Sequence, residues 1–520
     1  MKHQTFNWMK LYFKLSLLLI FVSLTACVGK EAEKTNETSS AEKALAIQNE
    51  ATVKAVCGSC HRFIPAEYLD KSAWAAVIPV MAAKMGIFEH NGETYFNEKS
   101  DPNVEPGTYP SEPTISHEDL DKVLQYFAAL APDTLPAQVR NHPINPSNGI
   151  FSLAYQAGNF PAVGNMPMTT FVNIVPKAKQ IIIGSFGEKG DLSTYQTAGD
   201  LLWRKSFPSA VTWVDQSKPN HWLVNCIGSV QPTNAKIGSI HSFNPQSKEE
   251  SIIADKLPRP VQSFYLPNNQ LLINGFGHLK GKTFTYNPKT KEELQILRDI
   301  PGAISTKIAD WDGDGKKDIL TLFAQNKESI VLFKNTGNGY QETAVLLETM
   351  SVFGSTNFEL ADMNGDGKLD IIYTCGDNAD YTVILKPYHG VYIYLNQGNN
   401  QLKQSYFYPV HGCFKPAVKD FDLDGDLDIV TIAFFADYLT QPQESLLYFQ
   451  NNKGDFQPYE MPGYDLGRWL TMDAADADGD GDDDIVLGNL SMGPESFLTQ
   501  EQVKHFASGP ACLYLENKTR

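Results

Sequence analysis

Two residue patterns in this chain could carry chemistry, and the first is CGSCH at residues 57–61. Two thiols stand three positions apart and a histidine follows at once. On one helical turn both thiols can add to the vinyl groups of a porphyrin while His61 reaches the iron, so CxxCH is the pattern of covalent haem attachment. A redox CxxC or half of a zinc site is the alternative, but no second CxxC or thioredoxin-like βαβ pattern accompanies the motif. We predict one haem c, held by Cys57, Cys60 and His61.

The second pattern is an acidic segment that occurs four times, as DWDGDGKKD, DMNGDGKLD, DFDLDGDLD and DADGDGDDD. Acids or asparagine stand at positions 1, 3, 5 and 9, so their oxygens can converge on one point, and glycine at position 6 permits the turn. Such hard oxygen ligands suit Ca²⁺. An EF-hand would need glutamate at position 12, where Thr321, Tyr373, Thr431 and Leu487 stand instead.

These segments therefore predict about four calcium ions. Structural ions that hold the fold together are favoured over calcium sensing. The predicted ligands are Asp310, Asp312, Asp314 and Asp318; Asp362, Asn364, Asp366 and Asp370; Asp420, Asp422, Asp424 and Asp428; and Asp476, Asp478, Asp480 and Asp484.

The sixth iron ligand has to come from the same short region as CGSCH. The candidates are Met81, Met85, His90 and His117. The stretch IPVMAAKMG resembles the P-x-M pattern that follows CxxCH in envelope proteins joining a cytochrome to a repeat propeller. That resemblance favours Met81, with Met85 as the alternative, and a thioether ligand raises the reduction potential of haem iron. Both methionines could instead fill gaps in a helical core.

Helices are predicted to position the haem motif. One helix over residues 49–56 leads into it, and a second over 72–85 is expected to kink at Pro79. A third begins at Ser116, with Asp119 three residues on in a capping-box-like pattern. The arrangement is similar to class I cytochromes c, which implies a small all-α haem domain over residues 49–135.

Beyond a proline-rich linker, residues 136–147, the pattern changes to short alternating strands separated by turn residues, which is typical of all-β structure. The acidic segments recur about every 55 residues, and three weaker repeats without carboxylates precede them. These repeats resemble FG-GAP/VCBS repeats, in which such a loop joins the first two strands of a propeller blade.

The chain is therefore predicted to be multidomain, with an all-α cytochrome c-like domain followed by an all-β propeller over residues 148–520. Seven blades are predicted, with six or eight as alternatives. The last repeat lacks its outer strand, so we expect Phe151–Tyr155 to complete that blade and close the ring.

The N-terminus has the pattern of an export signal, with a basic segment followed by LSLLLIFVS. Residues 24–27, LTAC, then resemble a bacterial lipobox. That resemblance implies removal of residues 1–26, acylation of Cys27 and a lipid-anchored protein of the bacterial cell envelope. The polar residues 27–48 are expected to form a flexible tether. Attachment to a membrane is expected only through the lipid anchor.

Four cysteines lie outside these motifs: Cys226, Cys375, Cys413 and Cys512. An oxidising compartment would allow a disulfide between Cys375 and Cys413, with buried free thiols as the default expectation. A set of polar residues is expected at strand ends on one propeller face, where it could bind a substrate or partner. These residues are His278, Asp380, His411 and Arg468.

The composition and the charge of the chain exclude some classes of function. The chain has 520 residues, 42% of them hydrophobic, so it can bury large cores in more than one domain. With 43 basic against 60 acidic residues, a nucleic-acid partner is not expected. No Ser/His/Asp order, glycine-rich phosphate loop or HExxH motif assigns a catalytic residue, so an electron carrier or binding protein is favoured over a catalyst.

Three hypotheses follow. The first is an envelope electron-transfer lipoprotein that exchanges electrons with a redox partner protein or a small-molecule donor or acceptor, its propeller docking the partner. The second is a redox enzyme whose propeller face binds a small molecule or glycan and passes electrons to the haem. The third is an adhesion or scaffold propeller with a haem sensor.

Overall fold

The computed structural model describes residues 28–95, 107–154, 166–379 and 382–520. Cys27 and the predicted signal lie outside these residues. Within them, no helix is both long and apolar enough to cross a membrane. The helices are α1 (Val28–Cys57), α2 (Lys71–Lys84), α3 (His117–Leu130) and α4 (Gln500–Ala507).

The first three helices form a domain with one apolar core, in which Trp74 stacks on Phe127 at a centroid distance of 3.7 Å. The Ser116 hydroxyl accepts the Asp119 N–H at 3.0 Å and so caps α3, as its sequence predicts. Pro79 lies inside α2. A short hairpin, β1 (Glu89–His90) and β2 (Glu93–Thr94), follows α2.

Helix α1 takes the place of the predicted tether over residues 28–48, because it begins at Val28 and continues to Cys57 of the CGSCH motif. The segment is rich in Ala, Glu and Lys, which favour helix. Its C-terminal half is also held by tertiary packing, since Ala46 and Val53 are buried in the helical core. Polar composition alone did not show this support.

Seven four-stranded antiparallel sheets follow, which confirms the seven-bladed propeller. Blades 1 to 3 consist of β4 (Thr169–Val175), β5 (Gln180–Phe186), β6 (Gly190–Gln196) and β7 (Leu201–Phe207); β8 (Val211–Asp215), β9 (Trp222–Cys226), β10 (Gly238–Phe243) and β11 (Glu250–Leu257); and β12 (Pro260–Tyr265), β13 (Leu271–Gly275), β14 (Lys282–Asn287) and β15 (Glu292–Arg298).

The four acidic segments belong to the remaining blades. Blades 4 to 7 consist of β16 (Ala303–Ala309), β17 (Asp318–Phe323), β18 (Ser329–Asn335) and β19 (Tyr340–Glu348); β20 (Ser355–Ala361), β21 (Asp370–Cys375), β22 (Gly390–Asn396) and β23 (Leu402–Pro409); β24 (Cys413–Lys419), β25 (Asp428–Ala433), β26 (Leu446–Asn452) and β27 (Asp455–Glu460); and β28 (Trp469–Ala475), β29 (Asp484–Asn489), β30 (Cys512–Asn517) and β3 (Phe151–Leu153).

The ring closes as predicted through Phe151–Leu153, while Tyr155, the end of the predicted strand, lies outside the described residues. Strand β3 pairs antiparallel with β30, with Phe151 opposite Asn517 and Leu153 opposite Leu515. The first strands of neighbouring blades contact each other around the ring, including β28 of blade 7 with β4 of blade 1. The second strands of blades 4 to 7 are buried along their whole length, which explains their continuous apolar runs.

The helical domain is docked on the propeller, a contact that its sequence did not predict. Met350 and Val352, from the connection between blades 4 and 5, are buried in the helical core. The Tyr388 hydroxyl of blade 5 donates to the Tyr68 carbonyl at 2.8 Å, and the two rings lie 5.3 Å apart. The two parts therefore share one apolar core.

The predicted linker also packs on the propeller. Arg140 forms an ion pair with Glu444 of blade 6, and its Nε donates to the Pro409 carbonyl at 3.4 Å. The Asn145 N–H donates to the Pro458 carbonyl at 2.9 Å. Residues 136–147 thus form a strap across blades 5 and 6.

Candidate functional site

The CGSCH motif lies where α1 ends. Cys57 is the last residue of α1 and packs half-buried against the helical core, whereas Cys60 is exposed. The chain stays tightly wound after Cys57, with the Gly58 N–H donating to the Lys54 carbonyl at 2.9 Å. A Cβ at Gly58 would lie 2.6 Å from that carbonyl, so only glycine fits the turn between the two thiols.

The local geometry of His61 suits metal ligation. Its Nδ1 lies 2.9 Å from the Arg62 carbonyl oxygen. Because a carbonyl can only accept, Nδ1 carries the proton and Nε2 of the neutral ring keeps its lone pair. A backbone acceptor on the other ring nitrogen is the usual way in which a protein orients a metal-binding histidine.

The surroundings of Cys57 bear on the alternative that CGSCH is a redox CxxC motif. Burial raises the pKa of the Cys57 thiol to about 11. A redox-active CxxC motif instead depends on a thiol whose pKa is lowered towards neutrality. This environment therefore does not favour the redox alternative.

The four candidate axial ligands differ in their surroundings. Met81 and Met85 are half-buried at the end of α2 and are not among the residues of the apolar core of the helical domain. Buried His90 has partners for both ring nitrogens: Nε2 donates to Asp121 Oδ1 at 2.8 Å, and Nδ1 lies 2.7 Å from His117 Nδ1. Both ring nitrogens of His90 are therefore already hydrogen-bonded, one to His117 and the other to Asp121.

Each acidic segment forms the loop between the first and second strands of its blade, and the ninth residue begins the second strand. In three of the loops, carboxylate oxygens of positions 1, 3 and 9 lie within 4.8 Å of one another. These groups are Asp310, Asp312 and Asp318; Asp420, Asp422 and Asp428; and Asp476, Asp478 and Asp484. Blade 5 has Asn364 at position 3 and so lacks the third carboxylate.

The position 5 aspartates do not join these groups. Each accepts the backbone N–H of position 7 instead, at 2.9 to 3.2 Å. These residues are Asp314, Asp366, Asp424 and Asp480. In blades 4, 6 and 7 the predicted ligands at positions 1, 3 and 9 thus lie together, whereas the aspartate at position 5 bonds to the backbone of the turn.

The ninth residue also anchors the blade. In blade 6, Asp428 Oδ2 accepts the Phe421 N–H at 3.1 Å, and Oδ1 accepts the Asn451 N–H of the third strand at 2.7 Å. Equivalent bonds occur in blades 4, 5 and 7. Each of these buried carboxylates therefore joins the loop, the second strand and the third strand.

Burial and repulsion between neighbouring carboxylates raise the pKa values of the ninth residues. Burial, with a contribution from Asp422, raises the pKa of Asp428 to about 7, and burial with Asp478 raises the pKa of Asp484 to about 6. In addition, the Oδ1 atom of Asp310 is buried without a hydrogen-bond partner. A divalent cation would satisfy that oxygen and relieve the repulsion, so the donor set fits Ca²⁺.

Three of the four polar residues predicted to share a propeller face lie within the described residues, and two of these have partners inside the propeller. His411 bonds through Nδ1 to Glu444 at 3.1 Å. Arg468 is buried, lies 4.0 Å from the Phe434 ring centroid and donates to the Phe434 carbonyl at 3.1 Å. His278 lies in the β13–β14 connection of blade 3, and Asp380 lies outside the described residues. Arg468 and His411 therefore stabilise loops and strap, each with its own partners.

The thiols of Cys226, Cys375, Cys413 and Cys512 are free and buried, so the disulfide alternative is wrong and the default expectation holds. Cys375 Sγ lies 3.5 Å from the Tyr388 carbonyl oxygen, to which it can donate. The ion pair between Arg140 of the strap and Glu444 of blade 6 was not predicted from the sequence. A lone arginine in a proline-rich segment offers no local pattern that points to a partner three hundred residues away.

Comparison with known proteins supports the repeat fold. Residues 294–373 match the family model of the FG-GAP-like repeat, a stretch that includes the acidic loops of blades 4 and 5. No curated protein matches the chain. Solved structures similar to it include BBS1N in complex with ARL6DN, soaked with mercury (TM-score 0.43, 10% identity, covering 71% of this chain and 96% of that chain) or with lead (TM-score 0.43, 9% identity, covering 72% and 97%).

Proposed function

We propose that the chain is an envelope-anchored monohaem c-type cytochrome lipoprotein that transfers electrons, and that its calcium-stabilised propeller docks the redox partner. An FG-GAP-like propeller by itself supports a binding or scaffold role. The electron-transfer part rests on the CGSCH motif at the end of α1, where Cys57 packs on the helical core and His61 Nε2 has its lone pair available.

Different residues of the helical domain would bind different parts of the haem. Cys57 and Cys60 would carry the thioether bonds, His61 would bind the iron through Nε2, and Met81 would bind from the other side, with Met85 as the alternative. Half-buried apolar side chains of α1 and α2, among them Val56 and Val77, are available to cover the porphyrin. When bound, the haem supplies one-electron transfer.

Docking of the helical domain makes the propeller part of the electron-transfer unit. The shared core and the Tyr388–Tyr68 hydrogen bond fix the haem motif relative to blades 4 and 5. A partner bound to the propeller would therefore meet the haem domain in a defined orientation. Lipidation of Cys27 would hold this unit at a membrane of the envelope.

Acid–acetone extraction of the purified protein tests the haem proposal. We expect the colour to stay on the protein and a pyridine haemochrome spectrum to show saturated vinyl positions. Cys60→Ser should shift the spectrum to that of a single thioether, and because Cys60 is exposed the fold should persist. Cys512→Ser, at a buried thiol of blade 7, is the matched control. Haem that extracts completely from the unmodified protein would refute the proposal.

The redox-enzyme alternative predicts a different result. Sugars, alcohols and aldehydes would then reduce the haem band of the intact protein. Such reduction, lost in Arg468→Lys, would favour the enzyme; the internal partners of Arg468 lead us to expect none.

A further inference from the structure

The residue that faces each acidic loop from the third strand changes in charge from blade 4 to blade 7. The register is defined by the repeated bond between an asparagine N–H of the third strand and Oδ1 of the ninth loop residue, at 2.7 to 2.8 Å. The residue before this asparagine is Lys334 in blade 4, Leu395 in blade 5, Gln450 in blade 6 and Glu516 in blade 7.

In blade 4 a lysine already compensates the acidic loop. Lys334 Nζ pairs with Asp312 and lies 3.4 Å from Asp314 Oδ2. Lys316 Nζ is 3.8 Å from the same Asp314 oxygen. A cation entering this loop has to displace the Lys334 ammonium from Asp312, a predicted ligand at position 3.

Blades 5 and 6 are intermediate. In blade 5 the facing residue is apolar, but Asn364 removes one charge and Lys368 Nζ pairs with Asp366 Oδ2 at 2.8 Å. In blade 6 the neutral Gln450 donates to Asp422 Oδ2 at 2.6 Å. Blade 6 therefore keeps all of its carboxylates without a competing ammonium on the third strand.

Blade 7 has the most carboxylates of the four loops, with aspartates also at positions 7 and 8 and Glu516 facing the loop. Position 7 is Asp482, a residue that is 2% exposed. Asp482 Oδ2 accepts the Arg520 N–H at 2.9 Å, whereas Oδ1 is buried without a hydrogen-bond partner. A buried carboxylate oxygen with no donor is costly unless a cation is close.

Basic groups lie around this loop, among them the Arg520 guanidinium, which is close enough to Gly481 that an added Cβ would lie 2.5 Å from one of its nitrogens. Lys179 of blade 1 donates to the backbone carbonyl of Asp478. Lys419 pairs with Asp483, at position 8, with 3.3 Å between Nζ and Oδ2. Lys518 pairs with Glu516 at the exposed end of the strand. Among the described contacts, none of these ammonium groups bonds to a predicted ligand carboxylate.

We propose that the four loops are graded calcium sites, with the loop of blade 7 binding most tightly and the loop of blade 4 most weakly because Lys334 acts there as an internal counter-cation. The inference rests on the proposed calcium binding and adds the order of calcium affinity among the four loops. Ligand charge is what tunes the affinity of such oxygen sites over several decades.

The order has a structural consequence at the ring closure. Blade 7 is completed by β3, which pairs with β30. The loop of blade 7 is bonded to β30, where the Asn517 N–H donates to Asp484, and its Asp478 contacts Lys179 of blade 1. The tightest ion would thus hold the junction between the last and the first blade at calcium levels that leave blade 4 without one.

The loop of blade 4 has its own optical reporter. Trp311 is at position 2, and its backbone N–H donates to Asp318 Oδ2 at 3.3 Å. The equivalent residues of the other loops are Met363, Phe421 and Ala477. When terbium is added to the metal-free full chain, the terbium emission that is sensitised by tryptophan therefore reports chiefly on blade 4. Trp311→Phe should remove this emission.

In the terbium titration we expect this emission to rise only after earlier equivalents have bound elsewhere. Lys334→Leu, which installs the residue of blade 5, should move the midpoint to a concentration at least about fivefold lower. Lys327→Leu, at an exposed lysine at the opposite end of the same blade, is the control and should leave the midpoint unchanged. Equal midpoints for the two variants would overturn the proposal.

Calcium binding measured by equilibrium dialysis of the metal-free chain gives an independent result. Asp478→Ala should remove the tightest class of bound ion, and Asp312→Ala the weakest. Loss of a tight ion in Asp312→Ala would overturn the order while calcium binding itself stands. If no loop binds terbium or calcium, both the order and the proposed calcium function fall.

Discussion

Replacing Arg140 by alanine should free the strap from the propeller and destabilise the chain. The Arg140 side chain is 15% exposed and pairs with Glu444, whose side chain is 0% exposed. Without the guanidinium, the Glu444 carboxylate keeps only the backbone N–H and Nδ1 of His411, at 3.2 and 3.1 Å. The variant would thus bury a charge that no cation compensates.

The size of the effect follows from that burial. Removing one partner of a buried ion pair costs about 3–5 kcal/mol. Arg140 also lies over the Tyr408 ring, 5.8 Å from its centroid, and bonds to Gln441, so apolar and polar contacts are lost together. Because His411 continues to donate to Glu444, we expect the lower end, about 3 kcal/mol near neutral pH.

The loss of stability caused by Arg140→Ala should be smaller at acidic pH because of His411. Burial, and then Arg140, lower the pKa of His411 to about 4, although Asp437 raises it. A native pKa below the unfolded value of 6.5 means that the unfolded chain binds more protons, so this histidine's contribution to stability falls as pH drops from 6.5 to 4. In Arg140→Ala, His411 can accept a proton and pair with Glu444. The variant therefore loses less stability than the unmodified chain as the pH drops from 6.5 to 4.

Denaturant unfolding of the full chain, followed by tryptophan fluorescence at about pH 8 and about pH 5, measures both effects. Arg298→Ala is the control, because Arg298 pairs with the more exposed Glu342 and should cost about 1 kcal/mol or less. The reasoning is refuted if Arg140→Ala costs no more than the control, or if its cost is the same at both pH values.

Three further predictions concern the ions, the haem and the shared core. Chelation of calcium should lower the melting temperature of the propeller by many degrees while the haem band survives, because the loop carboxylates then repel each other; a thermal scan without a shift would reject structural calcium. Met81→Ala should lose the sulfur-to-iron charge-transfer band and Met85→Ala should keep it, whereas the reverse result would make Met85 the ligand. Met350→Ala, although in the propeller, should weaken the shared core by about 2–5 kcal/mol and lower the temperature at which the haem band is lost; an unchanged temperature would show that the helical core is independent.

The parts of the structure that depend on neighbouring residues were predictable from the chain alone. The blade count followed from repeats about 55 residues long, and the loop geometry from acids at alternate positions before a glycine. Ser116 predicted the start of α3, and the missing strand of the last repeat predicted the closure by Phe151. The helix-start and loop signals are local because hydrogen bonding and backbone geometry act over a few residues, whereas the closure joins the two ends of the propeller and followed from the strand missing in the last repeat.

The features that join distant segments were decided only by the tertiary structure. Tyr68 meets Tyr388, and Arg140 meets Glu444, across three hundred residues or more of chain. Helix α1 extends back to Val28 through a segment whose polarity alone indicated a tether. Even the facing position held by Lys334 became visible only when strand pairing placed it over Asp312. Such contacts depend on the complementarity of two folded surfaces, and neither segment carries the pattern of its partner in its own sequence.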